Sequence, residues 1–413
     1  MSLKEHIKSG DHIFVHGGAA TPSVLIDQLL SQAHELKDVT LYHLHTHGDV
    51  HYAKPEYASS FRVVNLFVGA NIRPYLDYDR IDYLPCFLSE IGSLFRQKKI
   101  KLDVAFIHVS APDIHGYCSL GTSVDVARAA VDSARVIIAQ INPQMPRTHG
   151  DGIIHISQIT HKIEVNQPLY ESHSSQLSEA ELKIGRYISE LVEDGSTLQM
   201  GIGAVPDAAL VALKNHKDLG IHSEMWSNHA LNLIRSGVVT NSRKKVHPGK
   251  TVAAFVTGNR DLFDFIDDNP STIFLEASYV NQPNVIARNP KVVAINSCVE
   301  MDLTGQVCAD SVGPKIISGV GGQMDFMRAA FLSEGGKPII AMTSRSVKGH
   351  PRIKSHLSLG AGVVTTRSHI HWVVTEYGRK DLAGLSLGQR AKALIELAHP
   401  DDREQLSRHV TGT

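Results

Sequence analysis

The chain carries one α/β pattern twice, and that duplication limits its fold more than any single motif. A short apolar strand, a glycine turn and a helix begun near a proline occur around GGAATP (17–22), and again around GIGAVP (201–206). Three further matches follow in the same order: LYHLH (41–45) with LGIHS (219–223), FIHVSAPDIHGYC (106–118) with INSCVEMDLTGQVC (295–308), and VIIA (136–139) with PIIA (338–341). Each match is weak alone, but the shared order and similar offsets point to two copies of one unit. At 413 residues the chain also exceeds one ordinary core. The expectation is two similar α/β domains with largely parallel sheets, 1–175 and 176–413, with a catalytic cleft between the copies.

Local patterns fill in the first copy. Strands are expected at 12–15, within 39–51 as a strand running into a loop, and at 63–68, 104–110 and 136–142, with a helix at 82–95 capped by Ser89. The continuous apolar runs are of the buried, parallel-sheet kind. Residues 165–179 turn polar and read as a linker. A helix then opens with a capping box, Ser178 with Glu181, and with Leu177 placed to staple Leu182; Asp194-Gly195 closes it.

Composition excludes several function classes. Hydrophobic residues make up 42%, charged residues 20%, and the net charge is -1, so neither nucleic acid nor an anionic membrane surface is implied as a partner. No run approaches the ~20 apolar residues of a membrane span, and the first residues lack a signal-type apolar stretch. Cys86, Cys118, Cys298 and Cys308 show no CxxC spacing, which suits reduced thiols in a cytoplasmic enzyme.

Four stretches carry candidate chemistry. Glu224 lies among Ile221, Met225 and Trp226, just after the glycine turn; apolar company leaves a carboxylate poorly solvated, which raises its pKa and its reactivity as a nucleophile. A solvated glutamate at a strand end is the alternative. The turn at 201–206 offers backbone N–H groups and a helix dipole to an anion, or is simply a strand-to-helix connection; as a dinucleotide fingerprint it is incomplete, because Pro206 replaces the third glycine. Gly319, Gly321 and Gly322 form a second glycine cluster, able to approach a ligand or to donate to an oxyanion. Lys348 and Arg352 sit in a basic segment that meets phosphates or is solvated. His43, His45, His47 and His51 alternate along a strand and raise the question of a metal, yet only Asp49 accompanies them, and no metal is assigned. Cys118 beside histidines reads as a buried, inert thiol.

Taken together, QMGIGAVPDAAL (199–210), GIHSEM (220–225), SGVVTN (236–241), INSCVEMDLTGQV (295–307), SGVGGQMDF (318–326), VVTEYG (373–378), FVGANIRPY (67–75) and PDIHGYCSLG (112–121) resemble the acetyl-CoA hydrolase/transferase family of class I CoA-transferases, especially its 4-hydroxybutyrate and butyrate branch. The likeness spans essentially the whole chain. It implies a fold of the CoA-transferase type and Glu224 as the nucleophile. It further implies CoA contacts from Gly201, Ile202, Gly203, Ala204, Gly319, Gly321, Gly322 and Lys348, and an oxyanion and substrate pocket from Gly18, Ala19, Asn71, Met225 and Gly322. Members of the family carry Asp-Gly where Asn228-His229 stand here, a departure that bears on the acyl pocket rather than on the nucleophile.

The reaction implied is ping-pong transfer of CoA between an acyl-CoA and a short-chain carboxylate of the acetate, butyrate or 4-hydroxybutyrate class, through a glutamyl-CoA thioester. It needs no cofactor beyond CoA as substrate, and the family favours a homodimer or higher homo-oligomer. The rival within the class is an acyl-CoA hydrolase using the same intermediate. A rival from another class is a ligand-sensing regulator on similar units, disfavoured because no helix-turn-helix with a basic face precedes the first strand.

Overall fold

The computed structural model describes residues 3–173 and 176–411. It divides into two compact units that are interleaved along the chain: Met1–His173, Val252–Val280 and Ile317–Gly321 form one, and Ser174–Thr251, Asn281–Ile316 and Gly322–Thr413 the other. The chain thus passes from the first unit to the second after His173 and then returns twice.

In the first unit the strands are β1 (His12–Val15), β2 (Val39–His43), β3 (Phe61–Asn65), β4 (Ile81–Tyr83), β5 (Val104–Val109), β6 (Val136–Ile141) and β7 (His161–Glu164). They form one sheet in the order β4-β3-β2-β1-β5-β6-β7, and every pair is parallel. Every residue of β5 and β6 is buried, as continuous apolar runs require. Helix α1 (Ser23–Ser31) follows the first glycine turn, with Pro22 at its N-cap.

Several element boundaries differ from expectation. The strand placed at 63–68 runs from Phe61 to Asn65, and Leu66–Gly69 continue as loop. The helix placed at 82–95 is instead β4 followed by α2 (Leu88–Arg96), with Phe87 rather than Ser89 at the N-cap. Pro85 accounts for the split, since a proline disfavours helical geometry in the residue before it.

The second unit opens with α3 (Glu179–Ser189), whose capping box is formed: Glu181 N–H donates to Ser178 Oγ, and Ser178 N–H donates to the Glu181 carboxylate at 2.7 Å. The helix ends at Ser189, before Asp194-Gly195, and Leu182 is exposed. Of the polar linker, residues 174 and 175 lie outside the described residues.

Strands β8 (Thr197–Met200), β9 (Gly220–Ile221), β10 (Met225–Trp226), β11 (Val292–Asn296), β12 (Lys337–Ala341), β13 (Trp372–Thr375) and β14 (Gly378–Asp381) build this unit's sheet, in the order β10-β8-β11-β12-β13-β14 with β9 also on β8. The pairs β8–β9, β8–β11, β11–β12 and β12–β13 are parallel. Helices α4 (Ala204–Ala212), α5 (Asn228–Arg235) and α6 (Gln323–Leu332) complete what bears on the site.

The order β9-β8-β11-β12-β13 reproduces β2-β1-β5-β6-β7, so the duplication is topological as well as sequential. The registers differ slightly from the sequence matches. If Gly17 is set equivalent to Gly201, the sheet pairings make Leu41 equivalent to Gly220 and Val104 to Val292, which shifts two of the matched segments by one residue. Runs of Val, Ile and Ala resemble themselves after a shift, whereas hydrogen-bonded register does not.

Candidate active site

Strand β8 is buried throughout and ends at Met200. Strand β9 lies parallel to its first half, and β10 lies antiparallel to its end through Met200 and Met225. The chain must therefore reverse between Ile221 and Met225. Ser223 pins that reversal: it is fully buried, and its Oγ accepts from Met200 N–H at 3.1 Å. The next residue is Glu224. It is half-buried between Ser223 and the buried pair Met225 and Trp226, so the apolar setting expected from sequence is present.

The carboxylate is held from two sides within the second unit. Asn281, fully buried, donates its amide Nδ2–H to Glu224 Oε2 at 2.6 Å. Gly322, the N-cap of α6, lies so close that a β-carbon there would fall on Glu224 Oε2 and Asn281 Nδ2. Glycine at 322 is thus required by proximity and not by φ, which is -106°. The carboxylate consequently sits at the N-terminus of a ten-residue helix, where the dipole favours negative charge by about 0.3–1 kcal/mol.

The glycine turn has the expected strand-to-helix form, joining β8 to α4. Gly201 backs onto a reciprocal amide pair, in which Gln199 Nε2–H donates to Asn296 Oδ1 (3.2 Å) and Asn296 Nδ2–H to Gln199 Oε1 (2.9 Å). Ile202 is exposed, and Gly203 adopts φ 128°, ψ 174°, a region essentially restricted to glycine. Ala204 is the first residue of α4.

The other glycine cluster belongs to the first unit up to Gly321. Val68 N–H donates to Ser318 O, Val320 N–H to Tyr83 Oη and Leu88 N–H to Gly321 O. A β-carbon at Gly319 would stand 2.7 Å from the Phe67 ring. Two motifs distant in sequence, FVGANIRPY and SGVGG, therefore meet there.

Gly18 has φ +57° and donates its N–H to His45 O. Ala19 is buried, and Asn71 uses its Nδ2 on Thr46 O and Gly48 O, both at 2.9 Å. Asn71 thus braces a loop with that amide. Lys348 is at the exposed tip of a Ser346–His350 turn, and Arg352 is half-buried, donating to Cys298 O, in contrast to the solvated reading.

Burial favours the neutral form of three histidines in the first unit, His43, His45 and His47. Burial pulls His43 and His45 down to about 4, and lowers His47. His43 Nε2 lies 3.2 Å from Tyr52 Oη, and His45 packs against His47, Phe67 and Phe255. Among the described residues, no group of three His, Cys, Asp or Glu is arranged to hold a metal ion. Cys118 is buried, and burial pushes its thiol up to about 11.

The departure at 228–229 has a local structural use. Asn228 and His229 open α5, and His229 Nδ1 lies 3.2 Å from Asp207 Oδ1 of α4, a contact that raises the imidazole pKa. Sequence reasoning missed Asn281. It belongs to no glycine or charge motif, and 57 positions separate it from Glu224, so only the folded chain pairs the two.

Comparisons with known proteins identify the family. Residues 2–210 match the acetyl-CoA hydrolase/transferase N-terminal domain and residues 258–410 the C-terminal domain. A succinyl-CoA:acetate/propanoyl-CoA:succinate CoA transferase of Fasciola hepatica is 52% identical over 97% of this chain and 85% of its own. The 4-hydroxybutyrate coenzyme A transferase of Clostridium kluyveri is 46% identical over 95% and 92%. The solved 4-hydroxybutyrate CoA-transferase of Porphyromonas gingivalis superposes with a TM-score of 0.86 at 37% identity, covering 99% of this chain and 95% of that one. On this evidence the chain belongs to the acetyl-CoA hydrolase/transferase family.

Proposed function

We propose that this enzyme transfers CoA between an acyl-CoA and a short-chain carboxylate, with Glu224 as the nucleophile. The observation that carries the assignment is the Asn281–Glu224–Gly322 arrangement: one carboxylate oxygen fixed by an amide at 2.6 Å, at the N-terminus of α6, on a sharp strand reversal. Other candidate carboxylates have structural commitments. Glu300 is buried and accepts from Lys354 Nζ and from Ser358 N–H and Oγ–H, and Glu376 accepts from Ser344 N–H and Oγ–H.

Glu224 attacks the thioester carbonyl carbon; the C–S bond breaks, giving a mixed anhydride and CoA thiolate. The thiolate attacks the glutamyl carbonyl carbon, expels the free carboxylate and leaves a glutamyl-CoA thioester. An incoming carboxylate reverses both steps, so the cycle balances without ATP, metal or net proton transfer. Contacts to the remote part of CoA offset the unfavourable anhydride step. In this reading Gly201, Ile202, Gly203, Ala204, Gly322 and Lys348 contact CoA in the second unit, and Met225 faces the acyl group. Gly319, Gly321, Gly18, Ala19 and Asn71 keep the ligand-contact roles read from sequence. The enzyme is taken to be a cytoplasmic homo-oligomer; no helix among the described residues is long and apolar enough to cross a membrane.

The names of the relatives supply acetate, propanoate, succinate and 4-hydroxybutyrate for the acceptor panel, and the family resemblance adds butyrate. At fixed acyl-CoA, transfer yields new acyl-CoA with an acceptor, whereas hydrolysis yields only free CoA. Without acceptor, the enzyme should gain the mass of CoA less water, mapped to Glu224 and discharged by acetate. Glu224→Gln should form no adduct while still binding CoA, and Glu224→Asp should lose most activity, because near-attack geometry tolerates little retraction. An adduct on Glu300 or Glu376 would move the assignment.

A further inference from the structure

In a parallel sheet, alternate residues of a strand turn their backbone N–H and C=O to opposite neighbours, so an outer strand leaves one set without partners. In the first unit, β2 meets this need with a full neighbour: β3 pairs with it from Val39–Phe61 to His43–Asn65. Among the described residues, the equivalent strand β9, which leads into Glu224, has no such neighbour. Its inner side is paired, with Gly220 N–H donating to Ser196 O and His222 N–H to Leu198 O. On its outer side, backbone pairing among the described residues is confined to one bridge, Leu219 with Val239, after which Thr240 and Asn241 N–H both donate to Leu219 O.

Ile221 comes next, with its N–H and C=O facing outward, and two side chains satisfy them. Asn241 Oδ1 accepts from Ile221 N–H at 2.9 Å, and Lys244 Nζ donates to Ile221 O at 2.7 Å. Both side chains belong to buried residues, and both are anchored beyond the strand: Asn241 Nδ2–H donates to Thr251 Oγ1 at 3.0 Å, and Lys244 Nζ to Lys250 O at 2.6 Å. The fit is close. A β-carbon at Gly220 would sit 2.7 Å from Lys244 Cγ, so glycine there makes room for the lysine stem. Asn241 itself holds φ +58°, a left-handed conformation that asparagine tolerates better than most residues.

We infer that Asn241 and Lys244 are positioning residues for the transfer reaction, acting as a side-chain substitute for the missing neighbour strand and fixing Ile221 three residues before Glu224. The inference rests on Glu224 being the nucleophile. A buried lysine is an unusual choice for a purely structural prop: desolvation pulls its ammonium down to about 7. What it supplies is a long, reorientable donor that reaches two carbonyls at once.

The test uses the whole chain and three variants. Asn241→Gly keeps the left-handed backbone and removes the acceptor; Lys244→Met keeps the stem and removes the donor; Asn241→Asp keeps the acceptor. With acyl-CoA and acetate as probes, we expect kcat and the single-turnover rate of glutamyl-CoA adduct formation to fall at least tenfold in the first two variants. KM for acyl-CoA should stay within about twofold, and Asn241→Asp should recover most of the rate. A folded Asn241→Gly or Lys244→Met with wild-type adduct formation would overturn the inference, as would a rate loss explained entirely by KM. Should Lys244→Met not fold, Asn241→Gly decides alone; if neither folds, the pair holds the unit together rather than aiming the carboxylate, and the inference is wrong. Absence of any adduct at Glu224 in the wild-type enzyme would instead defeat the nucleophile assignment, which these variants do not address.

Discussion

Gly322→Ala adds one methyl group and, at this position, almost nothing else. Its φ of -106° is open to alanine, and an N-cap changed from glycine to alanine loses only part of the roughly 0.5–2 kcal/mol that separates good caps from poor ones. The methyl, however, is placed on Glu224 Oε2 and Asn281 Nδ2, far inside van der Waals contact with both. Ordinary van der Waals contact begins near 3.4 Å and the methyl would stand about 1 Å inside that limit against Glu224 Oε2, so the carboxylate must retreat by about 1 Å, or α6 must shift by a similar amount. Overpacking of this kind costs about 1–3 kcal/mol of stability. A misplacement of about 1 Å at the reacting group costs about 10²-fold in rate, or about 2.7 kcal/mol of barrier. The expected result is a kcat about 100-fold lower for CoA transfer from acyl-CoA to acetate, followed by chromatography of the new thioester, with a modest decrease in melting temperature. If Gly322→Ala kept its turnover within about threefold of wild type, the reasoning that ties Gly322 to the carboxylate would fail.

The other perturbations separate different roles. Gly203→Ala meets no atom within 4 Å but forces alanine into a glycine-only region, so it should cost about 1–3 kcal/mol of stability and raise KM for acyl-CoA more than it lowers kcat; an unchanged KM in steady-state assays would remove the turn from the CoA site. Because Asp207 raises the pKa of His229, that pair stabilises fully below the unfolded histidine value of about 6.5 and is lost as pH rises through the folded value. Melting temperatures of His229→Asn and wild type should therefore differ most at pH 6 and converge in alkali, and a constant difference would count against the pair. His16 and His43, held near 4, and His108, near 3, are buried neutral, so as pH drops below about 6.5 the unfolded chain binds protons that the folded one refuses. Stability should fall steadily from about pH 6.5 toward 4, as denaturant titrations would report, and a midpoint that did not move over that range would refute the neutral-histidine reading.

How much was legible beforehand follows from what each signal encodes. The glycine turns, the capping box at Ser178 and the buried strands are local, and the sequence states them directly. The duplication was visible as an order of segments, because order survives divergence. Its register was not, since VIIA looks much the same one or two places along. The split of 82–95 into strand and helix depended on weighting Pro85 above a run of apolar residues. Asn281 was invisible for a different reason: a hydrogen bond between residues 57 positions apart leaves no periodicity, and an isolated asparagine near a proline reads as turn. The return of 252–280 and 317–321 to the first unit is also non-local, and no composition shift marks it.

On the proposed assignment, the duplication also explains why one of two similar loops would carry the chemistry and its twin would not. With Gly17 set against Gly201, the sheet registers make His45 the counterpart of Glu224 and His108 the counterpart of Asn296. In the first unit that place holds a neutral imidazole packed among Phe67, Phe255 and His47, and His108 Nε2 accepts from the amides of Gln140 and Asn142. In the second it holds a carboxylate at a helix N-terminus, and Asn296 is tied to Gln199. Both loops sit at the carboxyl ends of parallel strands, where ligands commonly bind. Yet a neutral, aromatic-packed histidine has no anionic oxygen to attack a thioester. The chemical difference between the copies therefore lies in one side chain and its support. That support is an amide from Asn281 and the absent side chain of Gly322, together with, on the inference above, the Asn241 and Lys244 contacts in place of a neighbouring strand. On the proposed mechanism, a unit built for packing becomes a unit built for attack when a charge is fixed where its twin keeps an uncharged ring.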